Sequence, residues 1–130
     1  MPIQWGEEFA TGNHEVDAQH RRLFDMLNNL EQRINKGESP SKMVDVFDGL
    51  AAYTKEHFAF EEGCMERCAC SATKVNKLAH QRFLRLVDSC IIGLRMQEPT
   101  IKDFKNLHVE LTDWACNHIC NIDTSLRASS

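Results

Sequence analysis

Apolar side chains recur along this chain at steps of three and four residues, and breaks in that rhythm divide it into four blocks. The first, from about Asp17 to Lys36, places Val16, His20, Leu23, Leu27, Leu30 and Ile34 on one face and stops at Gly37. A second opens at Ser39 or Ser41 around Pro40, since proline is tolerated in a first helical turn, where its missing N–H would have no partner. It runs to about Met65 with Met43, Phe47, Leu50, Thr54, His57 and Glu61 on its face. The third, about Thr73 to Met96, presents Asn76, His80, Phe83, Val87, Cys90 and Leu94. The last opens near Pro99 and Thr100 and presents Phe104, Leu107, Leu111, Ala115, His118 and Ile122. This is the period of a helix, not the alternation of a strand.

Each block is a helix of roughly 30 Å. Short loops between such helices predict an all-α fold, an antiparallel up-down-up-down four-helix bundle. One domain accounts for all 130 residues, divided into an extended N-terminal arm (1–16), the bundle (17–124) and a tail (125–130). Trp5 and Phe9 are the residues able to pack the arm against the bundle.

The seams are not purely apolar. A single seam histidine reads as a hydrogen-bonded core residue. Here every seam carries one: His20 and His80 near the starts of the first and third helices, His57 and His118 near the ends of the second and fourth. Antiparallel packing brings those four positions to one level. Glu61 follows His57 by one helical turn and shares its face, and Asp123 lies just past His118, where the last helix is ending. An unpaired carboxylate in a core costs several kcal/mol, whereas a cation turns it into a ligand. Four imidazoles with two carboxylates suit iron, zinc or manganese, and carboxylates able to bridge suit two ions better than one.

Charge and composition narrow the partners. The net charge of -4 provides no basic footprint for nucleic acid or anionic lipid. No apolar run reaches the roughly 18 residues of a membrane span, and MPIQWGEEFA lacks the basic start of an export leader, so a cytoplasmic protein is expected. The six cysteines, Cys64, Cys68, Cys70, Cys90, Cys116 and Cys120, include no CxxC pair and are expected to be reduced thiols. Cys116 and Cys120 flank His118 on a face turned about 160° away from it and are not expected to be ligands. Neither His14, in the arm, nor His108, off the His118 seam, belongs to the set, while Met65, Phe24, Phe58, Phe83 and Trp114 read as core or cavity wall.

The stretches VDAQH (16–20), HFAFEE (57–62), HQRF (80–83) and WACNHICNID (114–123), with the tryptophan of IQWGEEF, resemble the hemerythrins, in particular the single-domain bacterial hemerythrin-like proteins. That resemblance covers nearly the whole chain. It implies a non-haem di-iron centre with an oxo or hydroxo bridge that binds oxygen or small anions. By motif, His20 and His57 would hold one iron, His80 and His118 the other, and Glu61 and Asp123 would bridge them, with Asn76, Ala115, Trp114 and Phe58 around the ligand pocket.

Two positions depart from the family. Asn76 stands where the family has the first histidine of HxxxH, and Ala115 where it has a leucine beside the oxygen site. Both changes imply a more open centre, with the Asn76 amide hydrogen-bonding a water or anion at the vacated iron position, and faster autoxidation than a store tolerates. An oxygen- or redox-sensing module is therefore expected, feeding a C-terminal signalling output domain beyond TSLRASS. An oxygen carrier, an enzyme reducing peroxide or nitric oxide, and a zinc or structural metal site are the competing readings. No general acid or base stands apart from the ligands, so binding rather than catalysis is expected.

Overall fold

A computed structural model describes residues 2–96 and 99–125. Four helices, α1 (His14–Lys36), α2 (Pro40–Arg67), α3 (Thr73–Met96) and α4 (Ile101–Asn121), form the bundle. The helix α1 starts at His14, earlier than the apolar rhythm predicts, because Asn13 caps it: the Asn13 Oδ1 accepts the Val16 N–H at 3.1 Å. At its other end Gly37 takes up the left-handed conformation, φ 72°, and its N–H reaches back to the Arg33 and Ile34 carbonyls. Ser39 precedes Pro40 at the start of α2. A capping box opens α4, with Thr100 and Asp103 each bonding the other's backbone N–H. Between α2 and α3 the chain turns tightly, the Cys70 N–H donating to the Met65 carbonyl at 2.9 Å.

The predicted seams are the core. Leu27 and Leu30 of α1 and Met43 and Phe47 of α2 are essentially inaccessible, and burying each contributes roughly 1.5–3 kcal/mol. Phe47 stacks on Phe104 with centroids 5.9 Å apart, tying α2 to α4. Cys90, Leu94 and Ile122, assigned to the same seams, are only half-buried. Along the bundle α1 packs against α2 and α4, and α2 against α3.

The arm is fixed to α1 by a reciprocal pair of bonds. The Ile3 N–H donates to Asn28 Oδ1 at 2.8 Å, and Asn28 Nδ2 donates to the Ile3 carbonyl at 2.9 Å. A 3-10 turn at Glu7–Phe9 then drops Phe9 edge-on against Phe24, centroids 4.9 Å apart, with Trp5 alongside and Arg21 over the indole at 5.0 Å. Cys116 and Cys120 pack against this cluster, and Cys64 and Cys70 are buried beside Val16 and Met65. All six cysteines are free thiols. His108 is buried and donates its Nε2–H to the Leu27 carbonyl at 2.9 Å, a structural role. His14 is exposed. Among the described residues no helix is long and apolar enough to cross a membrane.

Replacing Asn28 with Ala removes both bonds to Ile3 and should cost about 1–3 kcal/mol. Urea denaturation should report that loss, and limited proteolysis should cut the arm faster while helical circular dichroism stays unchanged. A variant with native protease resistance in the arm would show that the aromatic cluster alone holds it.

Candidate metal centre

Adjacent helices run in opposite directions, so residues early in α1 and α3 meet residues late in α2 and α4. His20, His57, His80, His118, Glu61 and Asp123 all arrive at one buried level, with Glu61 fully inaccessible and Asp123 at 1% exposure. Glu61 Oε2 lies 2.9 Å from His20 Nε2 and 3.4 Å from His57 Nε2, while its Oε1 lies 3.4 Å from His80 Nε2. Asp123 Oδ2 lies 3.2 Å from His20 Nε2, and its Oδ1 lies 3.1 Å from His118 Nε2. Each carboxylate therefore spans from one imidazole pair to the other. Asp123 can do this because α4 has ended at Asn121 and a 3-10 turn, Asp123–Ser125, swings the side chain inward.

Two overlapping donor sets result. One is His20, His57, Glu61 and Asp123, the other Glu61, His80, His118 and Asp123, and within each the donor atoms lie within 4.8 Å of one another. His20 Nε2, Glu61 Oε2 and Asp123 Oδ1 are buried without a hydrogen-bond partner despite their short separations from neighbouring donors. These atoms face one another across the centre. Donor atoms about 3 Å apart are what a cation with bonds of about 2.1 Å places side by side in its shell. The set fits two cations joined by shared carboxylates, and imidazole with carboxylate suits iron, manganese or zinc.

The imidazoles are aimed from neighbouring helices. His57 Nδ1–H donates to Gln19 Oε1 at 2.7 Å, and His80 Nδ1–H donates to Glu62 Oε2 at 2.9 Å. Both acceptors take a proton at Nδ1, which leaves the Nε2 lone pair of a neutral ring facing the centre. Neither Gln19 nor Glu62 stood out in the apolar pattern. The available signal was adjacency: a residue next to a ligand on a helix is turned by about 100° and faces the neighbouring helix. Phe58 lies flat on His80, centroids 3.6 Å apart at 3°, and Trp114 on His118, 4.4 Å at 11°. Phe58 thus holds a ring in place and does not line the cavity.

That cavity, about 20 Å³, lies one helical turn along from the histidines, with Leu23, Leu27, Thr54, Phe83, Trp114 and Ala115 in its wall. Asn76 is fully buried at the centre itself. Its Oδ1 accepts from His118 Nε2–H at 2.6 Å, and its Nδ2 donates to Glu61 Oε1 at 2.9 Å and to Met65 Sδ at 3.1 Å. Both amide hydrogens are engaged, so the expected bond from this amide to a water or anion is replaced by a direct clasp on the donor set. Met65, expected only as core, completes that clasp.

Charge is shared strongly here. Burial opposes ionisation of Glu61, but the facing imidazoles of His20, His57 and His80 hold its carboxyl well below the usual range. Burial likewise opposes charge on His20, and Asp123 and Glu61 overcome it, carrying its pKa from 6.5 to about 9. His80 is raised too, against burial, by Glu61 and Glu62.

With no cation bound, His20 therefore contributes stability that is complete below about 6.5 and is lost as the pH rises through about 9. In chelator, the urea midpoint should fall between pH 7 and pH 10, and Asp123→Asn should flatten that fall. An equal fall in the variant would remove Asp123 as the cause.

The hemerythrin HHE cation binding domain matches residues 11–127. A bacteriohemerythrin of Pseudomonas aeruginosa (strain LESB58) is 32% identical over 121 residues, spanning 93% of this chain and 76% of the relative. Another, from Stenotrophomonas maltophilia (strain R551-3), is 31% identical over 123 residues, 90% of this chain and 74% of the relative. A hemerythrin-like protein of Naegleria gruberi is 25% identical over 122 residues, covering 94% and 88%. With four helices converging imidazoles and carboxylates on two adjoining donor sets, and with that domain matched over residues 11–127, the chain belongs to the hemerythrin family.

Proposed function

We propose that this chain is a non-haem di-iron protein that binds oxygen or small anions and responds to oxygen or redox state. His20 and His57 would hold one iron, His80 and His118 the other, with Glu61 and Asp123 shared between them. The observation that carries this reading is that Glu61 turns one oxygen to each imidazole pair, and Asp123 does the same. The names of the bacterial relatives point the same way. When bound, the iron pair supplies the electrons for reversible oxygen binding.

The protein's own contribution is orientation and exclusion of water. Gln19 and Glu62 fix two rings, and Phe58 and Trp114 hold two imidazoles by stacking. A cavity of about 20 Å³ has room for one small molecule, and apolar walls keep such a space dry. Its hydroxyl, on Thr54, is already donated to the Leu50 carbonyl at 2.7 Å. A wall without a free hydroxyl proton favours binding over proton-consuming turnover. Ala115 leaves that wall thin where a larger apolar residue would fill it, which favours a responsive site over a store. Asp123 hangs from a 3-10 turn, so a change of charge at the centre bears directly on the C-terminal turn. A signalling output coupled there is part of the same proposal. The dry wall favours one second reading, reversible oxygen carriage.

Elemental analysis should find two irons per chain, and admitting oxygen to the reduced protein should produce new near-ultraviolet and visible absorption. Iron-loaded protein with an unchanged spectrum would defeat the proposal. A spectrum that reverts when oxygen is removed marks a carrier, and one that persists marks a redox-responsive site. Ala115→Leu should fill the cavity and slow oxidation of the reduced protein severalfold, followed as the absorbance rise after mixing with air.

A further inference from the structure

The two donor sets are unequal. Both share Glu61 and Asp123 and each has two imidazoles, but only the His80–His118 set has a further donor directed at it. Asn76 is fully buried on the first turn of α3, one turn before His80 on the same face. Its Oδ1 sits 2.6 Å from His118 Nε2, which is itself 3.1 Å from His80 Nε2 and 3.1 Å from Asp123 Oδ1. Those four atoms belong to one cluster. The Asn76 orientation is fixed by its amide nitrogen, since Glu61 Oε1 and the Met65 sulfur take both hydrogens. Turning the amide over would set its hydrogens against the His118 Nε2–H donor and its oxygen against the Glu61 carboxylate. The carbonyl oxygen therefore has one available direction, toward His118 and the centre.

We propose that Asn76 Oδ1 is itself a ligand to the cation held by His80 and His118, and that this makes that subsite the harder, more oxygen-rich of the two. The inference rests on the two-cation reading given above. Without a cation, the Asn76 oxygen accepts the proton on His118 Nε2. Binding requires the ring to carry its proton on Nδ1 instead of Nε2, which frees the Nε2 lone pair and the amide lone pair together. The first subsite then offers two nitrogens and two carboxylate oxygens, the second two nitrogens and three oxygens. Oxygen donors favour manganese(II) and other hard cations, while imidazole favours zinc, so the subsites differ in which ion they prefer. The same side chain positions Glu61 by donating to the oxygen that faces this subsite.

Metal-stripped protein would be titrated with manganese(II) and with zinc(II) by calorimetry, the stoichiometry being checked by elemental analysis after desalting. Native protein should take up two ions, and Asn76→Ala should weaken one of the two manganese(II) affinities by about 10–100-fold and the other, which shares Glu61, by much less. Asn76→His should restore two-ion binding but move the preference of that one site toward zinc(II) by about tenfold. A residue that only positioned Glu61 would leave the preference unmoved, so native manganese-to-zinc ratios in Asn76→His would overturn ligation. Unchanged affinities in Asn76→Ala would do the same.

Because the alanine variant removes three buried bonds and could fail to fold, the native protein provides a second measurement. Zinc(II) should shift the side-chain amide resonances of Asn76 in the nuclear magnetic resonance spectrum more than those of Asn28, and equal or absent shifts would refute direct contact. Native protein that binds neither ion would sink the two-cation reading as well, whereas two ions bound with indifference to Asn76 would sink only the present inference.

Discussion

Two carboxylates buried among four imidazoles are the constraint on which the rest of this molecule depends. Glu61 and Asp123 lie at 0% and 1% exposure, where an isolated negative charge is severely disfavoured. Only the surrounding histidines, with cations in place of their protons, make such burial tolerable. In their absence His20 holds a proton to about pH 9. Protons and metal ions thus compete for the same lone pairs, and the centre's affinity for cations is tied to pH.

The bundle exists around that requirement. Every helix contributes at least one donor at the common level, and the capping devices set the helix limits that bring them there: Asn13 before α1, Gly37 after it, Thr100 with Asp103 before α4. Support passes from helix to helix, with Gln19 on α1 aiming His57 on α2 and Glu62 on α2 aiming His80 on α3. Below the centre the apolar seams close into a small cavity. Polar order above and apolar walls below place a charged site beside a dry space, the arrangement that binding of a small apolar ligand needs.

Asn76 shows how a short polar side chain can be buried at the centre without leaving a hole. An imidazole at this position would offer a ring nitrogen; the shorter amide offers an oxygen and uses its nitrogen to grip Glu61 and Met65. The result is a compact, fully bonded side chain where composition alone suggests a vacancy. Ala115 is the contrasting case: a short apolar side chain leaves no bonding demand behind, and the space it frees is part of the cavity.

Helix number, helix limits to within a few residues, the seam faces and the candidate ligands were legible in the sequence. Each depends on local rules: the helical period, capping and the level at which antiparallel helices align residues such as His20 and His57. What lay beyond it depended on contacts between helices. The roles of Gln19 and Glu62, the stacking of Phe58 on His80, the clip between Ile3 and Asn28 and the way Asn76 faces all require knowing which side chains meet across a seam. Periodicity says which face of a helix is buried; rotation and approach of the neighbouring helix decide which atom on that face finds a partner, and only the packed structure fixes those.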